Sequence, residues 1–177
     1  MFIFSCPNIS IASDRDIVPI ERLLNSAYRG ESSKQGWTTE AHLIGGDTRT
    51  VASEVRELIH HPGSVFLKYE GDKNEIVGCV NLQRQESKIY LGMLSVSPRL
   101  QGGGIGKKLL RASEEFARQA GIGIIYMTVI SVRSELINWY KRHGYEDTGK
   151  RKPFHEDPVS GDHLQQLEFM VLEKRVR

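Results

Sequence analysis

Seven consecutive residues, Gln101-Gly102-Gly103-Gly104-Ile105-Gly106-Lys107, could bind an anion without any special side chain. Glycines tolerate φ > 0 and carry no Cβ, so their N–H groups can turn toward one point. An apolar, strand-like run ends just before them at Leu94-Ser95-Val96-Ser97-Pro98. A helical pattern runs on through Leu109, Leu110, Ala112, Phe116 and Ala117. A helix start adds unpaired N–H groups and the positive end of its dipole. Lys107 and Lys108 add charge. The chemistry on offer is retention of a phosphate or pyrophosphate.

Two phosphate motifs do not fit. A P-loop needs Gly-Lys followed by Ser or Thr, and here Gly106-Lys107 is followed by Lys108. The dinucleotide fingerprint G-x-G-x-x-G needs a third glycine where this chain has Lys107 or Leu109. The pattern that fits is Gln-x-x-Gly-x-Gly, through Gln101, Gly104 and Gly106. A second feature follows it: Tyr140, 34 positions after Gly106, in Trp139-Tyr140-Lys141-Arg142-His143-Gly144-Tyr145. Gly123 to Ile130 between them reads as a buried strand.

In this order, over roughly Gly78 to Lys174, these features resemble the GNAT N-acetyltransferase superfamily. The resemblance implies an α/β fold: a mixed, mostly antiparallel sheet of about six or seven strands flanked by about four helices, with a splayed strand pair holding acetyl-CoA. It implies that Leu94 and Val96 meet the pantetheine arm through backbone groups. Gln101, Gly102, Gly103, Gly104, Ile105, Gly106 and Lys107 would hold the pyrophosphate. Tyr140 would protonate the leaving thiolate. The implied reaction is direct acetyl transfer to a primary amine of a small molecule or peptide. The alternative is a non-catalytic acyl-CoA-binding regulatory module.

Two departures bear on the mechanism. Many relatives carry a glutamate on the strand before the loop, and Ile89-Tyr90-Leu91-Gly92-Met93-Leu94 has none. Glu86 precedes that strand. Arg133 stands where many relatives have asparagine, and arginine could reach a CoA phosphate or an acidic acceptor. Candidates to line the acceptor site are Tyr28, Glu31 and Trp37, with Glu40 and His42 nearby and Phe154–Val159 as an opposite wall.

The elements that must position these groups follow from periodicity. Ile9 and Ile11 mark a first strand, and Ser13 with Asp16 outlines a capping box. Ile17, Ile20, Leu23, Leu24 and Ala27 mark one helix face, and a second helix from Val51 stops at Pro62-Gly63. Residues 29–47 are polar and aperiodic, the mark of a functional or disordered segment. Strands are expected at Val65–Leu67, Ile76–Leu82, Ile89–Val96, Ile124–Ile130 and from Tyr145. Leu164–Leu172 closes the sheet and could be an edge strand open to pairing, compatible with a homodimer.

Composition sets the outer bounds. The 177 residues suit one domain, 1–177. A formal net charge of +2 argues against nucleic acid or membrane as the main partner. Cys6 and Cys79 make no metal pattern and fit reduced thiols, hence a cytoplasmic setting. No signal peptide, membrane span or metal-ligand spacing is expected; His60-His61 is only a pair before a proline.

Overall fold

A near-continuous apolar run in the central strands, as in Ile76–Leu82, demands cover on both faces of the sheet, and helices supply it. The computed structural model describes all 177 residues. β1 (Ile9–Ile11), β2 (Ser64–Glu70), β3 (Ile76–Gln85) and β4 (Lys88–Val96) form an antiparallel meander. β5 (Ile124–Ile130) pairs with β4 in parallel. With β6 (Glu146–Pro153) and β7 (Glu168–Arg175), the sheet has seven strands in the order β1-β2-β3-β4-β5-β7-β6. Leu67, Val80 and Leu82 face α4 (Ile105–Gln119) and α5 (Ser134–Arg142), which bury Leu109, Leu110, Phe116, Ile137 and Tyr140. Phe66 and Cys79 turn the other way, against α1 (Ile17–Tyr28) and α3 (Ala52–His60). A single turn, α2 (Gly30–Ser33), is a fifth helix beyond the four expected. No helix is long and apolar enough to cross a membrane.

The local signals behave as their chemistry requires. The Asp16 carboxylate accepts the Ser13 N–H at 2.8 Å and also meets Lys68 of β2 at 3.0 Å, fastening the start of α1 to the sheet. Both α4 and α5 end in a Schellman motif. Ile122 N–H reaches the Ala117 carbonyl and Tyr145 N–H the Tyr140 carbonyl, with Gly121 and Gly144 at φ +70° and +89°. Gly144 thus ends the helix one turn beyond Tyr140 and fixes where that ring sits.

One sequence expectation needs correction. Leu164 is not in a strand: its side chain is 61% exposed and its N–H bonds the Leu43 carbonyl. The strand begins at Glu168 and lies between β5 and β6, so it is not a sheet edge. The outer strands are β1 and β6. Every residue of β6 is exposed, and its run Lys150-Arg151-Lys152-Pro153 discourages edge pairing. The homodimer expectation loses the strand on which it rested.

The sheet opens at one place. β4 and β5 pair only at Ile89↔Ile125 and Tyr90↔Tyr126. Just beyond, β4 steps from Gly92 to Ser95 while β3 steps only from Asn81 to Cys79, so β4 carries an extra residue. Met93 at this bulge has φ +53°. A bulge bends its strand and increases twist, which here accompanies the divergence of β4 from β5. A non-glycine residue in the left-handed region costs about 1–2 kcal/mol, a strain typical of functional sites.

Candidate active site

The gap between β4 and β5 leads to the glycine loop. A 3₁₀ turn, Pro98–Leu100, connects β4 to Gln101. Gly102 and Gly104 sit at φ +85° and +87°, and a Cβ on either would meet nothing within 4 Å. Backbone conformation, not crowding, demands glycine there. Gly106 differs, since a Cβ would come 3.3 Å from the Trp139 ring. The N–H groups of Gly102, Gly104, Ile105, Gly106 and Lys107 donate to no protein acceptor. Unpaired donors clustered at a helix start form a cradle for an anion. Gly103 departs from the expectation: its N–H goes to the Leu100 carbonyl, and it does not line the cavity beside the loop. Gln101 is a strut. Its side chain donates to the Val96 carbonyl at 3.1 Å and accepts the Trp37 N–H at 3.0 Å.

A cavity of about 280 Å³ adjoins the loop and is lined also by Leu94, Val96, Trp139 and His143. Trp37, 46% exposed, stands at its side with its ring 6.4 Å from that of Trp139. Tyr140 lines both this cavity and a second, smaller one of about 90 Å³. Leu136, Trp139 and Tyr140 share a face of α5 because they are spaced i, i+3, i+4. The Tyr140 ring packs edge-on against Trp139 and Tyr145. The hydroxyls of Tyr28 and Tyr90 bond the Leu94 carbonyl and Thr128, whereas that of Tyr140 has no protein partner. Burial pushes the Tyr140 phenol well above its ordinary pKa, with Tyr28 adding to the effect, so it stays protonated and can donate. Burial, then Glu40, pushes the Tyr28 phenol up to about 12. Tyr28 donates to the Leu94 carbonyl at 3.0 Å, which uses one of the two acceptor sites of that oxygen.

Beside these cavities lies a cluster of buried charge. Glu40 bridges the guanidinium groups of Arg29 and Arg133, the latter at 2.9 Å. Arg133 also bonds the Thr38 hydroxyl, and Arg29 donates to the Ser160 carbonyl at 3.2 Å. All three ionic side chains are buried. These pairs order residues 29–40, which sequence alone reads as an irregular polar run. Arg133 therefore holds Glu40 and Thr38 rather than reaching for a phosphate, and Glu40 is a counter-ion rather than a free base. Two guanidinium groups against one carboxylate leave net positive charge. Glu135 lies 3.7 Å from Arg133 Nε, but its side chain is 43% exposed, so water and salt screen it.

Other sequence candidates fall elsewhere. Glu31 sits on the outer side of α2, paired with Lys34 and 88% exposed, and lines neither cavity. His42 faces solvent. Glu86 lies in the turn before β4, about 25 Å along the strand from Leu94 at strand rise. Phe154 does line the smaller cavity, stacked on Phe169 at 4.2 Å. Sequence reading missed Trp139 and His143 as lining residues, although i, i+3 spacing from Leu136 and from Tyr140 respectively could have found them. It also missed Arg49, for which no local signal exists.

Comparison with known proteins bears on the family and the fold. Residues 20–145 match the model of the Acetyltransferase (GNAT) family. The chain is 26% identical over 165 residues to the IAA acetyltransferase of Azospirillum brasilense, covering 87% of this chain and 95% of that protein. It is 32% identical over 86 residues to the streptothricin acetyltransferase of Streptomyces lavendulae, covering 48% of this chain and 46% of that one. Its fold matches the ribosomal-protein-S18-alanine N-acetyltransferase of Escherichia coli with TM-score 0.70 at 11% identity, over 95% and 92% of the two chains. The chain belongs to the GNAT family and is an acetyltransferase.

Proposed function

We propose that this acetyltransferase moves an acetyl group directly from acetyl-CoA to a primary amine of a small molecule or peptide. The observation that carries the reading is continuity: unpaired N–H groups of the loop, the divergent end of β4 and the unbonded hydroxyl of Tyr140 border one cavity. Those groups fit CoA, with donors for a pyrophosphate and apolar Leu94, Val96 and Ile105 for its arm.

Acetyl-CoA supplies a thioester activated toward nucleophiles. Gly102, Gly104, Ile105, Gly106 and Lys107 would hold the pyrophosphate through their N–H groups, and Leu94 and Val96 would align the arm along β4. A backbone N–H where β4 leaves β5 would serve the carbonyl oxygen, a role worth about 10²–10³ in rate. Tyr140 would donate to the departing sulfur. A phenol above 10 cannot fully protonate a thiolate near 8.5 without cost, so Tyr140 stabilises the charge. The proton shed by the amine completes the thiol. That amine, near pKa 10.4 in water, must first become neutral. The net positive cluster of Arg29, Glu40 and Arg133 disfavours an ammonium and lowers its pKa, which reduces the need for a carboxylate on β4.

Calorimetric titration with acetyl-CoA, with ATP and NAD as controls, tests the cradle. Selective binding is expected. Thiol release with an amine panel then tests the chemistry: Tyr140→Phe should lower kcat about 100-fold and leave acetyl-CoA affinity intact. A folded protein that ignores acetyl-CoA would sink the reading.

A further inference from the structure

We infer that Arg49 receives a carboxylate of the acceptor, so the amines this enzyme prefers are amino acids or amino-acid-like molecules. The inference rests on the amine-acetylation reading above and names its substrate class.

Arg49 lines the smaller cavity together with Glu40 and Arg133, the other charged residues there. Those two are already committed to each other. The Arg49 guanidinium makes no ion pair and no side-chain hydrogen bond; only its backbone N–H is bonded, to the Asn25 side chain at 2.6 Å. The same Asn25 oxygen accepts the Thr50 N–H at 3.0 Å, which holds this stretch of chain against α1. Asp157 feels the field of Arg49 but does not pair with it. Its carboxyl is held below the usual range first by the Ser160 hydroxyl, with Arg49 a lesser contributor. Its oxygens accept that hydroxyl and the N–H groups of Val159 and Ser160.

Position gives the free guanidinium its meaning. Its carbon lies 5.5 Å from the centre of the Tyr28 ring. The hydroxyl of that ring bonds the Leu94 carbonyl, where β4 leaves β5. One phenol ring therefore links the guanidinium to the reacting end of the cavity. The acceptor would place its amine at the reacting end and turn its carboxylate toward Arg49. Arginine presents a planar fork of donors matched to a carboxylate, and here the fork is unused. Met127, Val129, Phe154 and Phe169 offer an apolar wall for a side chain. The same positive charge repels polyamines and other acceptors that bring only cations.

The test compares L-methionine and L-phenylalanine with their own amides as acceptors, at saturating acetyl-CoA, by thiol release. The acids should exceed the amides in kcat/KM by about 10- to 100-fold. In Arg49→Gln that ratio should fall toward one, and Arg49→Lys should restore part of it. Calorimetric titration of the CoA-loaded protein with the same pairs reads binding without turnover. Equal binding of acid and amide to the unsubstituted protein, or a ratio that Arg49→Gln does not change, overturns the inference. Efficient acetylation of the amides would overturn it while leaving amine acetylation standing. Failure to bind acetyl-CoA would instead remove the reading beneath it.

Discussion

The two halves of this site are built from different materials. The half proposed for the cofactor uses backbone: glycines at positive φ, a helix start, and a strand end freed from its neighbour. The half proposed for the acceptor uses side-chain charge: Arg29, Glu40 and Arg133, buried and joined across 11 and 93 residues of sequence. A backbone cradle needs the right residues only in one short stretch. A buried ion cluster needs partners that the fold must bring together, and it costs heavily when one is missing. The first design suits a ligand part that is the same in every reaction, and the second suits a pocket that must differ between enzymes.

The sharpest way to break this contrast is Glu40→Gln. It leaves buried Arg29 without a counter-ion and Arg133 with only the half-exposed Glu135, and a loss of about 3–5 kcal/mol in unfolding free energy is expected by denaturant titration. An unchanged midpoint would mean that water, not Glu40, satisfies these arginines. Gly104→Ala probes the other half and should do less. The Cβ has open space, so the cost is the left-handed backbone alone, about 1–2 kcal/mol. It should appear mainly as acetyl-CoA affinity weakened about tenfold in calorimetry; a folded variant with unchanged affinity would contradict it. The smallest effect is the pH dependence carried by the ion pair that ties α1 to the sheet. Burial alone would raise the Asp16 pKa, but the Ser13 N–H and Lys68 outweigh it, so the folded value lies below 3.8. Its contribution is therefore present above about pH 4 and lost as pH falls through the depressed folded value. In Lys68→Met that part of the acid transition should flatten; an unaltered acid profile would assign it to other carboxylates.

What could be read in advance divides along the same line. The apolar periods of α1, α4, β3 and β5 are local, and each element formed where they indicated. The glycine loop and the distance to Tyr140 were equally legible, because a Schellman end at Gly144-Tyr145 and positive φ at Gly102 and Gly104 depend on neighbours in sequence. Leu164 misled because an apolar residue on an exposed loop has the same local pattern as one opening a strand. Glu31 misled because polarity does not tell which side of a one-turn helix faces a cavity.

By itself, the sequence determined most of the elements, the glycine loop and the tyrosine near the end of α5, since backbone conformation and amphipathic spacing are short-range properties. Tertiary structure alone decided that β7 runs between β5 and β6, that β4 parts from β5 beyond Tyr90, and that Arg133 meets Glu40 while Arg49 stays unpaired. Those outcomes depend on which distant groups share a low-dielectric interior, and no window of neighbouring residues holds that information.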